Sequence, residues 1–379
     1  MLLTRRQFAA CMPALLGAPA FTFADSASPL FLSAASDSAD THWVIGFEEN
    51  GDQVAEKFRH ALPGRAHHIA VNTALGIYIV VARRPGKYLW IGDLATGNPL
   101  GQIEVPGDRH LYGHGIFETD GSRFYTTENA WQLVNGDSGR IVTWQVSRHG
   151  DTVTLDRGAE FPSYGVGPHE LLLASSRDVL VVANGGIRTH PEQPREKLNL
   201  NSMQPSLVYI DARDGMLLEQ HFLDADWHQA SIRHMDINAS GEIVMGLQYE
   251  GEPFDRVPLV ALHRRGEAVR TLWAPEPQQG QMKQYVGSVR FDASGDFFAA
   301  TCPRGNMITI WATASGEMIT SLRSRDGCGI CASPNGFLYT AGTGRISHYD
   351  PAADSITEFD TTASGKVFWD NHLSAWGVS

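Results

Sequence analysis

A strand–turn–strand pattern recurs along this chain, and it constrains the fold more than any other feature. An apolar strand, a polar turn carrying Asp, Asn or Gly, and a second strand appear in Leu89–Leu100. The pattern returns in Val208–Leu218, Ile308–Ile319 and Ile346–Ile356, with looser copies at Ile141–Val153 and Leu259–Val269. Gly and Asp suit such reversals because they tolerate the positive φ that a tight turn demands. A second pair of short apolar runs precedes each copy: Ile69–Val71 with Ile77–Ala82, Gly115–Glu118 with Phe124–Thr127, and Glu170–Leu173 with Val179–Ala183. The later pairs are Met235–Ile237 with Ile243–Leu247, Val289–Phe291 with Phe297–Thr301, and Ile330–Ala332 with Phe337–Ala341. These runs are rich in Val, Ile, Leu, Tyr and Phe, which is strand rather than helix composition.

Six units of four antiparallel strands, about 50 residues apart, predict a β-propeller. A seventh unit is split between the chain ends. Leu30–Ala35, Trp43–Phe47 and Val54–Phe58 supply three strands, and Phe368–Trp376 supplies the innermost one. Pairing them closes the ring and removes the exposed sheet edges of an open array. The fold class expected is therefore all-β, a seven-bladed propeller of four-stranded blades. A two-sheet sandwich would not explain the recurrence. One insertion stands out: Asn184–Pro205, long and polar, in the third blade. Loops of that length are uncommon unless functional.

The chain has 379 residues, 42% of them hydrophobic, with a formal net charge of −12. That apolar fraction excludes a disordered tail, and the size removes the need for disulfide staples. The acidic balance, with no Lys/Arg stripe, argues against a nucleic-acid partner. At the N-terminus, Arg5-Arg6-Gln7-Phe8 precedes an apolar stretch from Ala9 to Phe23. This resembles a twin-arginine export signal, here residues 1–24. The remainder, 25–379, would be one periplasmic propeller domain. No other segment is long and apolar enough for membrane insertion once the signal is removed.

Aligning the units by their first strands exposes a second repeat. His68, His114, His169, His234 and His372 each begin an innermost strand, with Ser288 and Gly329 at the equivalent places in the other two blades. Innermost strands line a propeller's central channel, so five imidazoles far apart in sequence would converge on one axis. Converging neutral imidazoles are what a transition metal such as Fe, Cu or Zn requires. The competing reading is structural hydrogen bonding, as for the Gly-His pair of other propellers, which Gly113-His114 is similar to. Loops opening on the same face would bring Glu128, Asn129, Asn184, Arg188, His190, Gln248 and Arg304 to the rim, with Arg233 and Arg290 beside the inner strands. Such a funnel could hold a small anionic ligand or a metal complex, since guanidinium pairs with carboxylate in bidentate fashion. Glu170 or Glu128 would fix the imidazole tautomers.

Cys328 and Cys331 form a lone C-x-x-C, and Cys302 lies one blade earlier. A lone C-x-x-C suits a redox pair or metal ligands, but a structural disulfide is the favoured reading in an oxidising compartment, and Cys302 could pair with either cysteine. Trp90, Trp144 and Trp311 are spaced as packing residues between blades. There is no G-x-S-x-G elbow, P-loop or H-E-x-x-H.

Several phrases together resemble a bacterial family: Gly165–Glu170 (GVGPHE), Val182–Ile187 (VANGGI), Leu198–Met203 (LNLNSM), Ser231–Met235 (SIRHM) and Cys302–Gly305 (CPRG). They are similar to exported proteins of unknown function that tend to be encoded beside imelysin-type iron-regulated proteins. The resemblance spans nearly the whole mature chain and implies a periplasmic propeller linked to iron acquisition, without an established reaction. The Cys328/Cys331 pair departs from the family pattern. The function expected is metal or metal-complex binding in the funnel, accessory to iron uptake. The alternatives are a propeller hydrolase or oxidoreductase using the same His/Arg funnel, and a scaffold for an imelysin-type partner docking on the Asn184–Pro205 insertion.

Overall fold

The computed structural model describes residues 29–133, 138–174, 178–193, 196–361 and 365–377. The export segment expected at 1–24 lies outside the described residues. Seven four-stranded antiparallel sheets form a ring, a seven-bladed β-propeller. From the axis outward, blade 1 is β4 (Ala66–Asn72), β5 (Ile77–Ala82), β6 (Tyr88–Asp93) and β7 (Pro99–Glu104). Blade 2 is β8 (His110–Phe117), β9 (Arg123–Asn129), β10 (Gly139–His149) and β11 (Thr152–Pro162). Blades 3, 4, 5 and 6 start on inner strands β12 (Pro168–Leu173), β16 (Ala230–Ile237), β20 (Ser288–Phe291) and β24 (Gly327–Ser333). The ring closes as expected: β28 (Phe368–Trp376) is the inner strand of the blade whose other members are β1 (Leu30–Ser36), β2 (His42–Asn50) and β3 (Gln53–Ala61).

Second and third strands are buried on both faces, which is why they read as unbroken apolar runs: all six residues of β5 and of β6 are buried. Outer strands such as Pro99–Glu104 and Ser355–Glu358 are largely exposed and correspondingly polar. The core is distributed between neighbouring blades. Trp90, Trp144 and Trp311 all lie in it, and Trp311 stacks on Phe298, with centroids 5.9 Å apart and planes 6° off parallel. The turn glycines of the repeat also pack between blades. Gly97 and Gly215 take positive φ (76° and 77°). A Cβ on either would meet an aromatic ring of the preceding blade, Phe58 at 2.1 Å and Phe161 at 2.3 Å.

Hydroxyl staples join adjacent inner strands at the axis. Thr127 Oγ1 lies 3.3 Å from the carbonyl of His114 in its own blade and 3.4 Å from that of His169 in the next. Thr301 Oγ1 donates to the Cys328 carbonyl at 2.9 Å, and Ser374 Oγ to that of Ile69 at 2.6 Å.

The cysteine expectation is corrected. Cys302, Cys328 and Cys331 are free and buried. Cys302 packs in the core that holds Phe298 and Trp311, Cys331 in a separate core with Phe47 and Trp369. Cys328 Sγ instead donates to the Asp326 carbonyl at 3.0 Å. Three residues of strand put the two C-x-x-C thiols into different surroundings.

Trp311 is fully buried, so Trp311→Ala should destabilise the propeller by about 3–5 kcal/mol. Urea denaturation measures this, and a loss under 1 kcal/mol would show that this inter-blade stack is not what holds the blade.

Candidate metal centre

The inner strands are irregular where they approach the axis. In β4, Ala66 pairs with Ala82 and Ile69 with Val80, so one extra residue is accommodated around His67 and His68. In β12 the shift falls between Pro168 and Glu170, around His169, and in β16 between Ile232 and His234. In β8 it falls between Leu111 and Gly115, around His114, and in β28 between Trp369 and Leu373, around His372. A bulge leaves a residue unpaired and re-aims its side chain, and bulges concentrate beside functional sites. Blade 5, where Ser288 stands in place of histidine, pairs regularly from Ser288↔Thr301 onward.

Five imidazoles meet as a result. His67, His114 and His372 form one group in which ligating atoms all lie within 4.8 Å of one another, and His114, His169 and His234 form a second. Ring centroids are 4.4 Å apart for His67–His372, 4.6 Å for His114–His372, 5.0 Å for His114–His169 and 4.7 Å for His169–His234. All five residues are buried, none more than 9% exposed. His114, His169, His234 and His372 thus stand together as their placement in the repeat implied. In blade 1 it is His67 that belongs to the cluster, in the group with His114 and His372. His68 stacks on the His114 ring at 5.1 Å and belongs to neither. The extra residue in β4 falls at this pair, so the start of the inner strand does not by itself fix which of His67 and His68 faces the axis.

Neighbouring glycines make the approach of the blades close. A Cβ on Gly113 would lie 2.6 Å from His67 Cδ2. One on Gly329 would lie 3.1 Å from the His372 backbone, so blade 6 contributes space rather than a side chain.

Two buried carboxylates surround the imidazoles. Glu170 Oε2 accepts from the Met235 amide at 3.0 Å and faces His234 Nδ1 at 3.3 Å, while Oε1 faces His114 Nδ1 at 3.6 Å and Arg290 Nη2 at 3.7 Å. Asp370 accepts from Arg65 Nε at 2.6 Å and Arg83 Nη1 at 2.9 Å, with His67 Nδ1 at 4.0 Å. Burial alone would raise both acids' pKa values. The facing histidine and arginine outweigh it and hold Glu170 below the ordinary carboxylate range, and Asp370 well below it. Burial is the largest influence on every imidazole. It pushes His67 and His68 down to about 4, His234 down, and His114, His169 and His372 well below the usual value. The rings are therefore neutral at pH 7, with lone pairs free for coordination.

Several of those nitrogens have no partner in the protein. Nδ1 of His67, His169 and His372 and both ring nitrogens of His114 are buried without a hydrogen bond. His67 Nε2 and His372 Nε2 point at each other, 3.2 Å apart. Two imidazole nitrogens bound to one tetrahedral ion at about 2.0–2.1 Å would stand roughly 3.4 Å apart. The donor set and its spacing therefore fit a transition metal with little movement.

The other residues expected at the rim have separate roles. Glu128 is fully buried in blade 2 and takes a bidentate ion pair from Arg157, 2.8 Å on each arm. Asn184 donates to the Ser163 carbonyl at 2.8 Å, and Gln248 to that of Val286 at 3.0 Å. Arg188 is exposed on the insertion. His190 packs edge-on against Trp131 at 4.8 Å, and Arg304 lies over the Tyr285 ring at 4.2 Å. Among the described residues, Arg290 alone of the arginines contacts Glu170. Described residues of the insertion reach both neighbouring blades. Thr189 accepts at its carbonyl from Asn129 of blade 2 at 3.3 Å, and Lys197 pairs with Glu250 of blade 4. His67, Asp370 and Arg84 were not anticipated. The polar run Asp370-Asn371-His372 inside an innermost strand was the available signal for the second.

A seven-bladed propeller with a buried histidine centre on its axis is the class of protein these features define. The chain belongs to the protein family of unknown function DUF1513, whose model matches residues 60–376. A comparison with curated proteins finds no match. Among solved structures, the fold is similar to a putative 6-phosphogluconolactonase from Bacteroides fragilis, at a TM-score of 0.60 and 12% identity, over 93% of this chain and 98% of that one. It is also similar to hydrazine synthase of Kuenenia stuttgartiensis (TM-score 0.57, 13% identity, 86% and 94% covered). A third likeness is to Saccharomyces cerevisiae Sqt1 (TM-score 0.57, 7% identity, 88% and 83% covered). At these identities the likeness extends to the fold alone.

Glu170→Gln should cost about 3 kcal/mol in chemical denaturation, because it leaves the half-buried Arg290 and the Met235 amide without their carboxylate. A loss below 1 kcal/mol would mean that the carboxylate does not hold the centre together.

Proposed function

We propose that this protein holds one transition-metal ion on the axis of the propeller, with its ligands drawn from His67, His114, His169, His234 and His372. The observation that carries the reading is the set of buried, neutral imidazoles whose nitrogens lack partners. A purely structural histidine cluster would be expected to satisfy those atoms, because unpaired buried polar groups cost about 1–3 kcal/mol each. The two three-histidine groups share His114. Since its Nδ1 faces Glu170, one nitrogen is left for coordination, which favours a single centre over two.

Glu170 and Asp370 complete the arrangement. A carboxylate behind the far nitrogen of a ligating imidazole fixes its tautomer and raises its basicity. An all-nitrogen set suits Cu, Zn or Fe, and softer thiolate donors are not part of it. The finer reading places this centre in an exported, periplasmic protein accessory to iron acquisition. Its support is the arginine pair ahead of the apolar N-terminal stretch and the resemblance to proteins encoded beside imelysin-type partners. Such a partner would dock on the Asn184–Pro205 insertion.

Elemental analysis of the purified protein tests the centre. About one equivalent of metal is expected, falling at least tenfold in the His114→Ala/His169→Ala double variant. His68→Ala, outside both groups, should keep its metal. Sub-stoichiometric metal that is the same in all three proteins would overturn the reading.

A further inference from the structure

Above the histidines, two cationic side chains lack a counter-charge. Among the described residues, neither Arg84 nor Arg233 lies within ion-pair distance of a carboxylate, although Arg65 and Arg83 beside them are both committed to Asp370. Arg84 acts on Arg233 as a like charge, and the two share the same surroundings, Tyr112 and Glu250. Both also act on His169, which places them at that edge of the cluster. Glu250, the acid in reach of both, is already paired with Lys197. Burial first and then the Arg83 charge lower the pKa of Arg84, and burial first and then the Arg84 charge bring that of Arg233 to about 10, so both remain cationic at neutral pH.

Unsatisfied polar atoms gather at the same place. Arg233 Nε and His169 Nδ1 are buried without hydrogen-bond partners, and the Tyr112 hydroxyl and Thr189 Oγ1 lie buried beside each other with no other partner. Tyr112 and Thr189 are 3% and 5% exposed, so bulk water does not explain them. Contacts tie them together: the Tyr112 ring packs on His110 at 5.3 Å, His110 bonds Asn129 at 2.9 Å, and Asn129 donates to the Thr189 carbonyl. Two unpaired guanidinium groups held together cost free energy unless something neutralises them. A fork of N–H donors with hydroxyl donors beside it is the arrangement that recognises carboxylate or phosphate.

We infer that the mouth of the centre is an oxyanion site, in which Arg84 and Arg233 hold a carboxylate or phosphate group with Tyr112 and Thr189 donating to its oxygens. This deepens the metal-centre reading and rests on it for one consequence: an anion bound there would sit beside His169, where it can also serve as a ligand to the metal. Anion binding itself requires only the arginines and hydroxyls.

The test uses the full-length mature protein stripped of metal, so that failure of the anion site and failure of the metal centre are told apart. Inorganic phosphate and malonate are titrated separately by calorimetry, against sodium chloride at matched ionic strength. At least one of the two should bind at one site, and the preference between them identifies phosphate or carboxylate as the ligand class. Arg233→Gln and Arg84→Gln should each weaken that binding at least tenfold. Each should also raise the melting temperature in anion-free buffer, since each removes an unpaired charge. A merely structural arginine would instead lower it. Stabilisation by both probes no greater than by chloride, or binding unchanged in Arg233→Gln, would overturn the proposal.

Discussion

The carboxylate of Glu170 is the contact on which the centre of this ring depends. It sits in blade 3, accepts from a backbone amide of blade 4, and faces imidazoles of blades 2 and 4 and the guanidinium of blade 5. Four of the seven blades therefore meet at one buried charge. Asp370 does the corresponding work where the ring closes, linking β28 to Arg65 and Arg83 of blade 1. A propeller's blades touch mostly through apolar side chains, which resist separation but do little to set rotation about the axis. Charge-assisted contacts in a dry interior are directional, and here they set how the inner strands face one another.

That arrangement has a chemical consequence. Seven inner strands around a narrow axis leave little room, and the positions with glycine or serine, Gly329 and Ser288, relieve the crowding. Five imidazoles fill the rest. Burial keeps them neutral, and the two acids, held ionised by arginine, face the nitrogens that point away from the axis. A protein of formal charge −12 thus gathers its arginines and neutral histidines at one place.

Much of this was legible in the amino-acid sequence, for a physical reason. Doubly buried second strands must be apolar throughout, and tight turns between strands must carry Gly, Asp or Asn, so blade number and strand order follow from pattern. The ring closure by Phe368–Trp376 could be read the same way, with the strand bounds matching those observed. The histidine repeat was visible because inner strands begin at equivalent places in each blade. His67 was not, because the extra residue of the bulge falls at the His67-His68 pair and nothing local distinguishes the two. Asp370 was missed because its arginine partners lie on another blade, and Arg84 because the residues around it come from several blades. The cysteines misled for a similar reason: spacing along a strand does not say which core each thiol enters.

The central claim is that the axial imidazoles converge on a metal. X-ray absorption spectroscopy at the edge of the metal carried by the purified protein addresses it most directly. The account predicts a nearest shell dominated by nitrogen at about 2.0–2.1 Å, with outer-shell scattering from at least three imidazole rings. A shell of oxygen or sulfur without imidazole scattering would contradict it.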